Sequence, residues 1–360
     1  MRSIRSISSA PGSSARSSRS DAISRFSPLT EVSELRRAPA ALPVIAALLA
    51  AGCLAVGWAL SAGDLRIPLG DVVGALFGGA DGMAASVVRE LRLPRAVAVF
   101  ACGGLLAIAG ALMQVLLRNP LADPYVLGIS GGAAVGALGA MLLGLAPWLV
   151  DAAAFAGALG AMLLVFGLAH GDGSWTQTRL LLTGVIVAAG CGAAVTLMLS
   201  LATDTRLQSM LFWLMGDASG ASRPWPALVL MVVGLVAVLP FARDLNVLAR
   251  GELSARALGV RVERLRYLLY VLASLLTAAA VTLIGSVGFV GLIVPHLVRF
   301  VIGNDQRVLL PAAMLAGGTL LTLADTAART VIAPMQLPVG VLTALIGVPV
   351  FLFLLSRHPR

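Results

Sequence analysis

Apolar positions in this chain come in long unbroken blocks, not in the alternating or 3.6-residue stripes of a water-soluble fold. The run from Ala96 to Leu117, AVAVFACGGLLAIAGALMQVLL, carries no charge and one strong polar side chain, Gln114. As a helix rising roughly 1.5 Å per residue it reaches about 33 Å, enough for a hydrocarbon core roughly 30 Å thick. Similar blocks recur to the C-terminus. They predict spans over 40–61, 94–117, 126–145, 148–169, 180–201, 225–241, 267–286, 289–302, 308–330 and 338–356. The third, eighth and ninth are Gly-rich or interrupted, so their ends are expected to unwind where protein or a water-filled cavity covers them. The fold class is therefore all-α: a polytopic membrane protein with about ten transmembrane helices.

Composition agrees. The chain is 59% hydrophobic and 12% charged, against about 25% charged in a soluble domain. Its 39 glycines suit helices that approach closely in lipid. The net charge of +9 comes from arginine alone, since the chain has no lysine. In a soluble protein that charge would suggest nucleic acid; here its distribution decides, membrane lipid is the expected contact, and no nucleic-acid partner is expected. Arg36, Arg37, Arg118, Arg179, Arg299 and Arg307 and the arginines of 242–266 fall on one side if the N-terminus is cytoplasmic. The stretch 63–92 on the other side balances arginine with Asp and Glu. This satisfies the positive-inside rule and places both termini in the cytoplasm. Residues 1–38 are Ser/Arg-rich, lack the apolar core of a signal peptide, and are expected to be a disordered tail. A cytosolic tail, an over-called start codon and a transit peptide all fit that composition. The membrane domain is 39–357.

Chemistry is sparse. Cys53, Cys102 and Cys191 sit in apolar segments, have no CxxC partner, and read as small buried residues, not metal ligands. His170 and His358 lie in hydrophilic ends. His296, between Pro295 and Arg299 in an apolar stretch, is expected to make a structural hydrogen bond. No HExxH, paired carboxylates or triad is present, so no catalytic residue, metal or cofactor is assigned and the chain is not read as an enzyme. The run Gly128–Gly136 lacks the GxxxxGK[ST] pattern of a nucleotide loop and reads as close helix packing beside a path. Asn119 and Asp123 are expected to cap turns around Pro120 and Pro124. Residues 242–266 are too charged to span. Leu245, Leu248, Leu253, Ala257 and Leu258 are expected to form the apolar face of short amphipathic helices, broken at Gly251 and Gly259. Asp325 and Arg329, four residues apart, are expected to pair. Asp325 is also the one prominent candidate for an ion-driven secondary transporter, the alternative reading.

Three islands together resemble one family. They are LRLPRAVAVFACGGLLAIAGALMQVLLRNPLADPYVLGISGGAAVGA at 91–137, LNVLARGELSARALGV at 245–260, and GSVGFVGLIVPHLVRFVIGNDQRVLLPAAMLAGGTLLTLADTAAR at 285–329, followed by LPVGVLTALIGVPVFLFLL at 337–355. The chain resembles, over roughly 40–357, the FecCD/BtuC-like permeases of ATP-driven importers for iron chelates, haem and cobalamin. The resemblance implies a type II ABC importer permease fold, so that 39–357 is a transmembrane permease domain in a bacterial inner membrane. It implies a homodimer with a second copy of the chain, two cytoplasmic ABC ATPase subunits that hold ATP and Mg, and a periplasmic substrate-binding protein. It implies that 242–266 docks on the ATPase, with Glu252, Arg256 and Gly259 as coupling positions. Thr176, Gln177 and Thr178 become a cytoplasmic gate near the dimer axis, although a capped helix start is an equally direct reading of the same residues. The stretch 205–222 becomes a short helix at the outer mouth. VPHLVR occurs in the family across substrates, so His296 does not imply haem. An iron chelate is expected first as cargo, haem second and cobalamin third.

Overall fold

The computed structural model describes residues 41–78, 82–169, 176–221 and 225–357. The 1–38 tail, His170 and His358 lie outside the described residues. Helix α1 is Ala41–Ser61, α2 Leu69–Phe77 and α3 Met83–Leu116. Then follow α4 Ile129–Leu142, α5 Pro147–Ala169, α6 Gln177–Leu201, α7 Asp204–Met215, α8 Trp225–Val238 and α9 Ala242–Arg250. The chain closes with α10 Glu252–Ala257, α11 Val262–Ile284, α12 Val290–Ile302, α13 Gln306–Thr330 and α14 Val339–Arg357. Among the described residues, 7 helices are long and apolar enough to cross a membrane, and α4, α12 and α14 are shorter apolar helices. Together they correspond to the ten predicted blocks.

Local sequence sets several ends. Thr176 accepts a hydrogen bond from the Arg179 amide and caps α6. Asn119 Oδ1 accepts from the Leu121 amide at 2.9 Å, and Asp123 Oδ1 from the Tyr125 amide at 2.8 Å. Pro124 opens a 3-10 turn, Pro124–Leu127, before α4 begins. The second span differs most from expectation. Its helix starts at Met83, passes through a π-helical turn at Val87–Arg92, and carries on past Pro94. The supposed outer loop 63–92 therefore contains α2 and the first turns of α3, because a proline near the start of a span does not prevent the helix from beginning before it.

Helix α3 is the hub of the bundle, packed against α8, α11, α12 and α13. Glycine makes these approaches possible. A Cβ added at Gly110 would lie 1.8 Å from the carbonyl oxygen of Gly291 on α12, and one at Gly103 would lie 2.2 Å from that of Gly317 on α13. The Gly128–Gly136 run does the same between α4 and α5: a Cβ at Gly136 would lie 2.0 Å from the Ala153 oxygen. Cys102 is buried on α3 and Cys191 is half-buried on α6, but Cys53 is exposed on α1. An apolar neighbourhood in sequence did not imply cover by protein there.

Candidate functional site

At the charged end of the bundle, α8 runs through a 3-10 turn, Leu239–Phe241, directly into α9. Leu245 and Leu248 on α9 are buried. Asn246 fastens α9 to the start of α13: its Nδ2 donates to Asp305 Oδ1, and its Oδ1 accepts from the Gln306 amide, both at 2.8 Å. Gly251, with φ of 135°, breaks the chain away from α9 and starts α10; Gly259, with φ of 80°, turns it into α11. Both backbone conformations favour glycine.

Helix α10 buries only Ala255. Leu253 is 86% exposed and Leu258 71%, and Ala257 is exposed too. The expected apolar face thus divides. Leu245 and Leu248 belong to the core, whereas Leu253, Ala257 and Leu258 face outward, because α10 is too short to lay a full stripe against the bundle.

Glu252 and Arg256 are brought together. Arg256 donates to Glu252 Oε1 from Nε at 3.1 Å and from Nη2 at 2.9 Å. Arg256 Nη2 also lies 3.5 Å from Glu263 Oε1. The other carboxylate oxygen of Glu252 accepts from Nη2 of Arg266 at 2.7 Å. Partial burial alone would raise the Glu252 pKa, but the hydrogen bonds and charges of Arg256 and Arg266 outweigh it and hold the carboxyl below its ordinary value. The Arg266 side chain is only 8% exposed, and its Nε makes no hydrogen bond among the described residues.

Thr176 and Gln177 lie at the same end. Gln177 Nε2 donates to the Leu116 carbonyl at 3.0 Å, and its Oε1 accepts from Nη2 of Arg118 at 3.1 Å. The start of α6 is thereby tied to the end of α3. A small pocket between them is lined by Leu116, Leu117, Thr176, Gln177, Leu180 and Arg266. Thr178 is exposed and does not line it. Arg266 therefore binds Glu252 and lines the same pocket as Thr176 and Gln177. Sequence reasoning placed Arg266 among the cytoplasmic arginines and gave it no further role. The available signal was that Arg266 is the last of three charged residues, after Glu263 and Arg264, that open an otherwise apolar helix.

Asp325 lies toward the other end of α13. Its expected partner Arg329 donates from Nε at 3.2 Å. Arg95, on α3, binds it more closely, with Nη2 at 2.8 Å and Nε at 3.1 and 3.2 Å. Arg95 also donates to Gln336 at 3.0 Å. Asp325 is 3% exposed, and both of its oxygens are engaged by guanidinium groups. Elsewhere, Gln114 joins α3 to α12 by accepting from Arg299 at 2.9 Å and donating to the Leu292 carbonyl at 3.1 Å. The His296 ring packs edge-on against Phe300 at 4.8 Å. Among the described residues no group of three His, Cys, Asp or Glu side chains is placed to hold a metal ion.

Comparison with known proteins places this geometry in context. The model of the FecCD transport family matches residues 47–357. The cobalamin import system permease protein BtuC of Halobacterium salinarum is 46% identical over 274 residues, covering 75% of this chain and 73% of that protein. The vitamin B12 import system permease protein BtuC of Escherichia coli is 38% identical over 322 residues, covering 88% and 93%. Among solved structures, an inward-facing metal-chelate type ABC transporter superimposes with a TM-score of 0.77 at 30% identity, covering 88% of this chain and 100% of that one.

Proposed function

The chain belongs to the FecCD transport family and is a multi-pass membrane permease of an ABC importer; from that premise we propose that its cargo is cobalamin. The observation that carries the choice is the 46% identity to a permease named for cobalamin import. It moves to first place the cargo that the sequence alone ranked third, behind an iron chelate and haem. A metal chelate is the second reading, favoured by the solved transporter of that type at 30% identity.

The working assembly on this reading is two copies of the chain, two cytoplasmic ATPases carrying ATP and Mg, and a periplasmic binding protein, in the inner membrane with both termini inside. The outward leucines Leu253, on α10, and Leu258, at its C-cap, support ATPase docking at 242–266. Aliphatic side chains held in water on a short helix between two glycine breaks suit a cleft on another protein. Glu252 and Arg256 brace that helix from behind, and Gly259 gives it its turn. Nucleotide-driven movement of the ATPases displaces α10, and the motion opens or closes the segment Thr176, Gln177 and Thr178. The contacts of Asp325 support ATP-driven over ion-driven transport, because both of its oxygens are taken up by the guanidinium groups of Arg95 and Arg329, and a coupling ion would have to displace them.

The test is uptake by proteoliposomes containing the full assembly, with labelled cobalamin, a ferric siderophore and haem supplied separately. Cobalamin should accumulate, saturate, and require hydrolysable ATP. Accumulation of the siderophore or haem with none of cobalamin would overturn the cargo. Uptake driven by a proton or sodium gradient without ATP would overturn the assembly.

A further inference from the structure

We propose that Arg266 is the positioning residue that transmits movement of α10 to the gate segment, through its bond to Glu252, and that this pair sets how tightly ATP hydrolysis is coupled to transport. The inference rests on the importer reading above and adds to it a residue in the interior of the chain.

Three observations carry it. First, Glu252 is the inward anchor of α10. One oxygen is held by Arg256 on the same helix, and the other by Arg266 in the first turns of α11. Leu253, the next residue, points outward. A partner that moves Leu253 therefore moves Glu252, and its 2.7 Å bond to Arg266 is the shorter of two side-chain polar contacts from α10 to α11, the other being Arg256 to Glu263 at 3.5 Å. Second, Arg266 is buried and lines the pocket at the α6 start together with Thr176 and Gln177. Gln177 in turn holds the last turn of α3 through the Leu116 carbonyl. A guanidinium displaced from Glu252 has this pocket to move into, where Thr176 and Gln177 are its polar neighbours. Third, Arg266 makes its bond to Glu252 with Nη2, while its buried Nε has no hydrogen bond. A buried donor left unpaired is costly, so this guanidinium is incompletely satisfied in the present arrangement and gains from one in which the gate segment supplies an acceptor. That is the behaviour needed of a link between two arrangements.

The experiment uses the assembled importer in proteoliposomes, with Arg266→Lys, Glu252→Gln and the double variant beside the wild type. Two quantities are read: ATPase recovered with the permease, and substrate moved per ATP hydrolysed. Arg266→Lys, a change at a buried residue, should keep ATPase recovery at the wild-type level, and both single variants should continue to hydrolyse ATP. The transport ratio should fall about tenfold, within the usual range of coupling between sites. The double variant should fall no further than the worse single one, because both remove the same link. An unchanged ratio, losses that multiply in the double variant, or ATPase recovery with Arg266→Lys falling in step with transport would each overturn the inference. If Arg266→Lys does not fold, Glu252→Gln decides alone, since it keeps the shape but leaves one acceptor oxygen where Arg256 and Arg266 each need one: a fallen ratio supports the link and a wild-type ratio overturns it. A wild-type chain that recovers no ATPase would bring down the importer reading and this inference with it. Coupled wild type with equally coupled variants would overturn the inference only.

Discussion

Helices α3 and α6 are almost equally apolar, and they have opposite surroundings. The most apolar window of α3 is 89% buried within the chain, and that of α6 only 11%. Between lipid and protein there is no hydrophobic preference to sort them, so shape does. On α3, Gly103 and Gly110 stand where neighbouring backbones arrive. On α6, Gly190 and Gly192 have nothing within 4 Å. Apolar length says that a helix enters the membrane, and the fit of its small residues says whether its own chain covers it. A helix this bare is left for lipid or for a second copy.

The strongest way to break this comparison is to fill the glycine positions on both helices. Gly110→Leu should leave almost no monodisperse protein after solubilisation. Overpacking typically costs about 1–3 kcal/mol and more when backbone is in the way, and the obstacle here is a carbonyl oxygen. Gly190→Leu should fold like the wild type, as judged by size-exclusion profile and thermal stability in detergent. Equal loss in both would mean that α6 is not bare in the folded chain. Next in size is the buried charge that clamps α3 to α13. Asp325→Ala leaves Arg95 and Arg329 facing each other without their carboxylate and should destabilise by about 3–5 kcal/mol, read as a drop in thermal stability. A variant as stable as the wild type would show that glycine packing alone holds the hub.

Smaller effects are expected where the chain meets water. Leu253→Ser with Leu258→Ser should change thermal stability by less than about 0.5 kcal/mol, as exposed sites usually do, while ATPase recovery falls at least about tenfold, as for an interface hot spot. Retained recovery would remove α10 from the docking surface. The smallest effect concerns pH. The Glu252 carboxyl is held below its ordinary value, so its contribution is fully present above the usual carboxylate range, near pH 4, and is lost as pH falls through the lowered value. Hydrogen-exchange protection across 251–261 should be flat from about pH 8 to 5 and decline only below about pH 4. A decline between 7 and 5 would contradict the pairing with Arg256 and Arg266.

Much of this was legible in the sequence because the bilayer sets a length requirement that each block meets or misses independently. Caps at Asn119, Asp123 and Thr176 were legible for the same reason: they act within two or three residues. So was Asp325 with Arg329, one helical turn apart. Arg95, which binds Asp325 more closely, is 230 residues away in the chain, and no local pattern points to it. The pairs Arg118–Gln177 and Glu252–Arg266 share that character. Leu253 and Leu258 show a different limit. Periodicity identifies an apolar stripe, but a stripe awaiting a partner and one covered by its own core look alike until the fold is built. Cys53 repeats the point on α1.

The continuity of α8 with α9 has a mechanical consequence. Trp225 to Arg250 is a single rod of 26 residues, about 39 Å long at roughly 1.5 Å per residue. Its one tighter stretch is the 3-10 turn at Pro240. The approach to α10 is therefore a beam, not a tether. A slack connection would take up a push by straightening, whereas a beam carries it as torque to a fulcrum, here the turn at Pro240, with α9 pinned beside it to Asp305 and Gln306. Stiffening or loosening that fulcrum changes how far the far end swings without altering any surface the partners touch.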